Sequence, residues 1–169
     1  MTAKPRKGTS PPEISNAFKL EDFLPYRLSV AANRVSRLFA QRYSEEFGLT
    51  IPEWRVLATV GRFGSTSPSA VGECTAMDKV KVSRAAASLV ARGLLRQSPD
   101  PNDGRGRLLR LTRKGASVHG GMVPIARELE AALAQKLGRS EWQALNRALV
   151  KFDRYVQDVA GPGDDGGID

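Results

Sequence analysis

Apolar residues recur at three- and four-residue intervals through much of the chain, and this spacing predicts a mainly helical protein. By this criterion the stretch 20–47 is a long amphipathic helix. A second helix is expected to begin at Thr50, because Thr50 and Glu53 have the spacing of a capping box. Ser67 followed by Pro68 predicts the start of a short third helix.

The helical spacing returns in residues 79–92 and stops at Gly93, where the pattern changes. Residues 94–97 and 107–111 are typical of short strands, and the loop between them is rich in Pro, Asp, Asn and Gly. Two helices joined by a tight turn form a helix-turn-helix, and a following hairpin adds a wing. The pattern therefore predicts a winged helix-turn-helix over residues 50–112.

Two further helices are predicted in the C-terminal third of the chain. Thr112 is expected to cap a helix that runs to about Leu137, interrupted and bent near residues 120–124, where two glycines and a proline occur. Ser140 has capping-box spacing and is expected to open the last helix. That helix carries an apolar seam formed by Trp142, Leu145, Leu149 and Phe152.

The predicted elements form a single domain over residues 16–160, mainly α with a small β-hairpin wing, between tails at 1–15 and 161–169. Helices 20–47 and 113–159 flank the winged helix and have more apolar surface than it can cover. We expect them to bury this surplus against a second subunit. The alternative is an intrachain hairpin of the last two helices, which would use part of the same surface.

Charge narrows the choice of partners. A formal net charge of +8 and a pI near 10.1 indicate nucleic acid or an anionic membrane surface. No apolar run approaches the roughly 18 to 20 residues that a membrane-spanning helix needs. The polar N-terminus lacks the apolar core of a signal peptide, so we expect a cytoplasmic protein that does not use a membrane.

The residues that usually carry catalysis or bind metals are sparse in this sequence. Cys74 is the single cysteine, has no cation beside it in sequence, and is expected to be a small packing residue rather than a redox sensor. His119 is the single histidine and has no partners at ligand spacing, which argues against a metal site. The sequence contains no recognisable set of nucleophile, base and orienting group, and no glycine-rich phosphate-binding loop follows a strand. We therefore expect that the protein is not an enzyme and uses no cofactor.

The basic helix is the candidate for reading DNA. Residues 79–99 contain no acidic residue, and one-signed charge of this kind suits a polyanion. Side chains in the first turns of such a helix reach base edges in the major groove. The base-edge candidates are Val80, Lys81, Ser83 and Arg84, with Arg84 the best suited to a bidentate contact to guanine and Lys79 assigned to phosphate. For Val80, partial burial in the turn between the helices is an equal alternative.

Asp103, Gly104 and Arg105, followed by Leu111-Thr112 and Gly115, match the wing pattern of the MarR (multiple antibiotic resistance regulator) family of bacterial transcription factors. The resemblance extends over residues 20–159. It implies an obligate homodimer with intertwined N- and C-terminal helices. It also implies a repressor that leaves its operator when a small anionic, often aromatic, compound binds.

The wing supplies further candidate DNA contacts. Arg105 at the tip is expected to enter the narrow minor groove, where the negative potential is strongest. Arg96 and Arg107 on the strands are expected to contact the phosphate backbone of an inverted-repeat duplex. Asp103 is expected to pair with an arginine and stabilise the wing, as the resemblance also implies.

The start of the first helix resembles that of family members that sense aromatic acids or their coenzyme A thioesters. The resemblance implies an effector pocket that uses Tyr26, Arg27, Asn33, Trp54 and Arg55. A ring would lie between the aromatic side chains while an arginine meets a carboxylate or phosphate. The alternative function is an effector-independent architectural DNA-binding protein.

Overall fold

The structure, a computed structural model, describes residues 18–101 and 106–160. Within these ranges the chain forms helices and one two-stranded sheet, and it divides into two compact units, the first ending at Val35 and the second beginning at Ser36. The elements in order are α1 (Leu24–Phe47), α2 (Ile51–Phe63), α3 (Pro68–Thr75), α4 (Lys79–Ala91), β1 (Leu95–Pro99), β2 (Arg107–Leu111), α5 (Arg113–Leu137) and α6 (Arg139–Ala160). The predicted order of helices and strands is confirmed.

The first unit contains a separate 3-10 turn at Leu20–Asp22 and the first half of α1. α1 begins at Leu24, later than predicted, because this turn takes up the residues before it. Pro25 then lies in the first turn of the helix, where its missing N–H leaves no bond unmade. The rings of Phe18 and Phe23 pack edge to face with centroids 5.3 Å apart.

Side-chain oxygens cap the helices of the winged region. Each cap accepts a hydrogen bond from one of the free N–H groups in the first turn. The caps of α2, α3 and α5 are as predicted, whereas Asp78 was assigned only to the turn before α4. The capping residues are Thr50, Ser67, Asp78 and Thr112.

The wing is an antiparallel hairpin in which β1 starts one residue later than predicted and extends to Pro99, opposite Arg107. A third, single-residue partner lies on the other edge of β2. The Leu109 N–H donates to the Thr66 carbonyl at 2.8 Å, and the Thr66 N–H donates back at 3.2 Å. The segment before α3 is therefore tied to the wing.

The core of the second unit lies where α2, α3 and α4 meet the wing. Apolar burial is the main stabilising contribution to such a domain. The largest fully buried aliphatic side chains are Leu49, Leu57, Leu89, Leu94, Leu95, Leu109, Val56, Val60, Val71 and Val82.

Two predictions about the C-terminal helices are corrected. α5 runs continuously from Arg113 to Leu137 with Pro124 inside it, so the predicted interruption is absent, and the bend stays a prediction. α6 begins at Arg139, and the Trp142 N–H donates to the Gly138 carbonyl at 3.0 Å. Ser140 therefore lies inside the first turn of α6 and is not its cap.

A close contact joins the start of α5 to the wing. Gly115 is buried, and a Cβ at this position would collide with the Leu94 carbonyl. That carbonyl accepts the Thr112 N–H at 3.1 Å, so it has no room to withdraw without losing a bond. A glycine is required here for close packing.

Glu53 connects α2 to α4 through a nearly buried carboxylate, only 6% exposed. The Ser88 hydroxyl on α4 donates to one carboxylate oxygen at 2.5 Å, and Thr50 donates to the other through its N–H at 2.8 Å and its hydroxyl at 2.9 Å. The Arg92 guanidinium lies 3.5 Å away. A buried charge is tolerated when it is paired and hydrogen-bonded in this way.

Arg92 extends this contact to the end of α1. Its guanidinium donates to the carbonyls of Phe47 at 2.8 Å and Gly48 at 3.1 Å, which are free acceptors at a helix C-terminus. Lys114 in turn donates to the Arg92 carbonyl at 3.1 Å. The end of α4 is thus tied to α1, α2 and α5.

Replacing Glu53 by Gln should lower the free energy of unfolding by roughly 1 to 3 kcal/mol at pH 7, the range for hydrogen bonds to a charged group. Burial raises the pKa of the Glu53 carboxyl, but the bonds from Ser88 and Thr50 and the Arg92 charge outweigh burial and hold this pKa below 4.5. The carboxylate therefore stabilises the fold above about pH 4.5, and this stabilisation is lost as the pH falls through the lowered pKa.

Urea unfolding at pH 7 and pH 3.5, at one protein concentration, measures both effects. The difference between wild type and Glu53→Gln should be smaller at pH 3.5. Glu130→Gln on the exposed face of α5 is the matched control and should change the unfolding free energy by less than about 0.5 kcal/mol. An equal loss for Glu53→Gln at both pH values would show that the ionised carboxylate is not the stabilising group.

Candidate nucleic-acid interface

α4 presents two different faces. Val82, Ala85, Ala86 and Leu89 are buried against the core and hold the helix in place. The other face is exposed over the first two turns, where the predicted contact residues lie: Lys79, Val80, Lys81, Ser83 and Arg84. Val80 is 57% exposed and lies on this accessible face, and its role as a base contact stays a prediction. The structure thus brings all five predicted α4 residues to one accessible surface.

Among the described residues, Asp78 is the one acidic residue that forms an ion pair with this surface. The Lys81 ammonium lies 2.8 Å from its carboxylate, and the Lys81 N–H donates to it at 2.7 Å. These contacts hold the pKa of the Asp78 carboxyl below its ordinary value. Because both side chains are largely exposed, the pair stabilises the fold by at most a small amount, and Lys81 is free to exchange it for another anion.

A cleft of about 220 Å³ lies between the start of α2 and the exposed face of α4. Glu53 and its hydrogen-bond partners lie on one side of this cleft, and two exposed basic residues of α4 also line it. The lining residues are Thr50, Pro52, Glu53, Lys81, Arg84, Ala85 and Ser88. Arg84 therefore lies beside the start of α2.

The predicted wing contacts divide into three groups. Arg96 and Arg107 are exposed, but they lie on opposite faces of the hairpin, because Arg107 is two residues from buried Leu109 and shares its face, whereas Arg96 directly follows buried Leu95. Asp103 and Arg105 lie outside the described residues. Arg110, exposed and directly opposite Arg96, did not appear among the sequence candidates. The pattern around Arg110, a charged residue between apolar ones, occurs in many hairpins and therefore did not single it out.

The predicted effector residues fall in both units. Tyr26, Arg27 and Asn33 are exposed on α1 in the first unit, and their role stays a prediction. Trp54 and Arg55 lie at the start of α2 in the second unit.

In the second unit, the Trp54 ring packs against Tyr43 with centroids 5.4 Å apart, and burial raises the pKa of the Tyr43 hydroxyl. Arg55 donates to Ser36 at 3.1 Å. The Trp54 indole Nε1 is buried and has no hydrogen-bond partner among the described residues. An unsatisfied donor of this kind is available to a ligand acceptor.

The structure also places the single cysteine, Cys74, and the single histidine, His119. Cys74 is exposed, so its expected role as a packing residue is wrong. His119 lies against α2, where its ring occupies the space that a side chain at Gly61 would need. In the described ranges no cluster of three or more His, Cys, Asp or Glu side chains is placed to hold a metal ion. No helix within the same ranges is long and apolar enough to cross a membrane.

The apolar seam of α6 is left uncovered by the part of the chain that the structure describes. Trp142 is partly exposed, Leu149 is 41% exposed, Phe152 is 47% exposed, and no described residue of α6 is buried. α5 contacts α6 but leaves this seam open. The intrachain hairpin therefore does not bury it.

Comparisons with known proteins agree on one family. The sequence model of the MarR family matches residues 47–106, which include α2, α3, α4 and β1. The HTH-type transcriptional repressor IacR of Pseudomonas putida is 29% identical over 145 residues, covering 85% of this chain and 86% of that protein. NicR, a second repressor from P. putida, is 26% identical over 150 residues, covering 89% of this chain and 94% of that protein.

Solved structures share the fold. A MarR/EmrR family regulator from Acinetobacter superposes with a TM-score of 0.74 at 21% identity, covering 82% of this chain and 98% of that one. A mutant MarR from Escherichia coli in complex with operator DNA has a TM-score of 0.70 at 23% identity, with 80% and 99% covered. BpsR of Bordetella bronchiseptica, whose DNA binding is regulated by 6-hydroxynicotinic acid, has a TM-score of 0.64 at 27% identity, with 75% and 98% covered.

The family model covers residues 47–106, and the repressor relatives and solved structures extend the likeness over most of the chain, so the chain is similar to MarR-family proteins, which are transcriptional regulators and not enzymes.

Proposed function

We propose that the protein is a homodimeric repressor that reads an inverted-repeat operator with α4 and leaves it when a small anionic aromatic compound binds. The observation that carries this proposal is the exposed face of α4. It combines three basic residues, Lys79, Lys81 and Arg84, with a rigid attachment through buried Glu53. A rigid helix with long cationic side chains fits the major groove and its phosphates.

The proposed roles follow from position on α4. Lys79 lies at the first residue of the helix and is assigned to phosphate. Val80, Lys81, Ser83 and Arg84 are assigned to base edges, with Arg84 as the guanine contact. Arg96 and Arg107 are assigned to the backbone, and Arg105 and Asp103 keep the roles predicted for them at the wing.

Dimerisation is proposed from the uncovered seam of α6, which contains Trp142, Leu145, Leu149 and Phe152. Side chains of this size at three- and four-residue spacing pack well against a second helix of the same kind. A contiguous exposed apolar face on a monomer is unfavourable in water. A second copy of the chain removes this cost and supplies the second α4 that an inverted repeat requires.

The effector proposal is supported by Trp54 and its neighbours in the second unit. The indole N–H is a buried donor without a partner, and the adjacent Tyr43 ring adds an aromatic surface. Arg55, the next residue of α2, supplies a cation and donates to Ser36. An aromatic acid, free or as its coenzyme A thioester, offers the ring, acceptor and negative charge that such groups bind. Regulation of BpsR by 6-hydroxynicotinic acid supports the same ligand class.

Release from DNA requires that the effector prefer one form of the dimer. A ligand with equal affinity for both forms shifts nothing, however tightly it binds. We propose that the bound form separates the two α4 helices by a distance that one-turn half-sites cannot accommodate.

Leu149→Asp should abolish the dimer, because it places a charge within the apolar seam of α6. Operator binding should fall with it, since a single subunit contacts one half-site. Analytical ultracentrifugation at micromolar concentration measures the change. Arg147→Asp, on the polar face of the same helix, should remain dimeric. A folded wild-type monomer would contradict the proposed assembly.

Arg84→Ala should relax base preference at one position by about 1 to 3 kcal/mol, the value of a bidentate contact to guanine. Lys79→Ala should instead weaken binding to all duplexes alike, because a phosphate contact carries no sequence information. Fluorescence anisotropy on an operator selected from a random pool, and on its single-base variants, separates the two outcomes. If Lys79→Ala relaxed base preference and Arg84→Ala weakened binding to all duplexes alike, the assignments of Lys79 and Arg84 would be exchanged.

An aromatic acid should release the protein from its operator, and Trp54→Phe should raise the required concentration by about tenfold, because it keeps a ring but removes the N–H donor. The panel is 6-hydroxynicotinic acid, other aromatic acids and their coenzyme A thioesters. Tyr155→Phe, which removes the hydroxyl of a 67% exposed ring outside the seam, is the control and should leave the midpoint unchanged. Release by no compound, or equal midpoints for both variants, would contradict the effector proposal and leave DNA reading intact.

A further inference from the structure

A carboxylate pairs with a basic side chain at the start of α4. Asp78 is the N-cap of this helix, and its two oxygens have different partners. Oδ1 accepts the Lys81 backbone N–H at 2.7 Å, whereas Oδ2 lies 2.8 Å from the Lys81 ammonium. Capping requires only the first of these contacts. The ion pair is therefore a separate feature, and because it is exposed it contributes little to stability.

The ion pair can bind a further partner. The side chains of Lys81 and Asp78 are 67% and 43% exposed. The hydrogen bonds from Lys81 hold the pKa of the Asp78 carboxyl below its ordinary value, so this group is charged at neutral pH. An ammonium has several donors and a carboxylate has several acceptor positions, so each can keep the other and still bind a third group. The start of α4 thus presents a donor and an acceptor side by side.

A G·C base pair offers the matching arrangement in the major groove. The guanine O6 acceptor and the cytosine N4 donor lie about 2.9 Å apart, because one hydrogen bond joins them. We propose that Asp78 and Lys81 together read one G·C pair, with Lys81 donating to guanine O6 and N7 and Asp78 accepting from cytosine N4. This inference rests on the proposed operator binding and adds Asp78 to it as a specificity-determining residue.

The proposed contact also specifies the orientation of the base pair. A C·G pair presents its donor and acceptor in the reverse order, which sets the carboxylate against guanine O6. A T·A pair keeps the order but places adenine N7, a second acceptor, beside the amino group that Asp78 would use. Affinity should therefore be highest for G·C, lower for T·A and lowest for the two reversed pairs. Where no amino group is available, the unpaired carboxylate disfavours the duplex.

The test is Asp78→Asn in the full-length chain, since asparagine caps a helix as well as aspartate does and lacks only the charge. An asparagine amide binds adenine N6 and N7 together, so the preferred pair should change from G·C to T·A, and affinity for the G·C operator should fall by about tenfold or more. Affinity for random duplex should rise by roughly fivefold, the factor for one like-charge contact screened by water. Selection from a random pool, followed by fluorescence anisotropy at one salt concentration, measures both changes.

Two further variants separate base reading from charge and from folding. Glu130→Gln removes one negative charge from an exposed position of α5 and should change neither base preference nor affinity for random duplex. Lys81→Gln keeps the Asp78 cap, because the cap bond uses the backbone N–H, and should lose the same G·C preference. If the two side chains act as a unit, the double variant should lose little more G·C preference than either single one.

Unchanged base preference in folded Asp78→Asn protein would overturn the proposal. A rise in affinity by the same factor for every duplex would also overturn it, because the carboxylate would then repel phosphate without reading a base. Lys81→Gln gives the same decision if the Asp78 variant melts at a lower temperature than wild type. If Arg84→Ala still relaxes base preference at its own position, operator reading by α4 stands while the role of Asp78 falls.

Discussion

The arrangement of α2 and α4 depends on the hydrogen bonds and ion pair of one buried carboxylate, that of Glu53. It accepts bonds from the start of its own helix and from Ser88 on α4, and it lies beside Arg92, which binds the carbonyls at the end of α1. A lone carboxylate in this place would be strongly unfavourable. With its partners it fixes α4 relative to α2 and the end of α1, while the first turns of α4 remain exposed.

Because α4 is attached in this way, its buried and exposed faces have different roles. Its buried side chains and Ser88 hold the helix, while its first two turns carry charge outward without making contacts that the fold needs. The same separation occurs in the wing, where Leu95 and Leu109 face the core while Arg96 and Arg110 face away. In both places the exposed positive charge lies on backbone that buried side chains hold in place.

Local signals made most of the fold predictable from the sequence. The caps at Thr50, Ser67 and Thr112 act within four residues, so their helices were found with correct starts. Ser140 shows the limit of such signals, because the Gly138 carbonyl is already in the helical ladder and α6 begins before the cap motif.

What the sequence could not supply depends on long-range contacts. The second role of Glu53 requires Ser88, which lies 35 positions away. The pairing of Arg96 with Arg110 and the bridge between Thr66 and Leu109 likewise depend on the register of strands that are distant in sequence.

Footprinting on genomic fragments in a large excess of random DNA tests the central claim most directly. The account predicts protection that persists at an inverted repeat with half-site centres about 10 base pairs apart. Loss of all protection as random DNA is added would contradict it, since that is the behaviour of a protein that coats DNA without reading it.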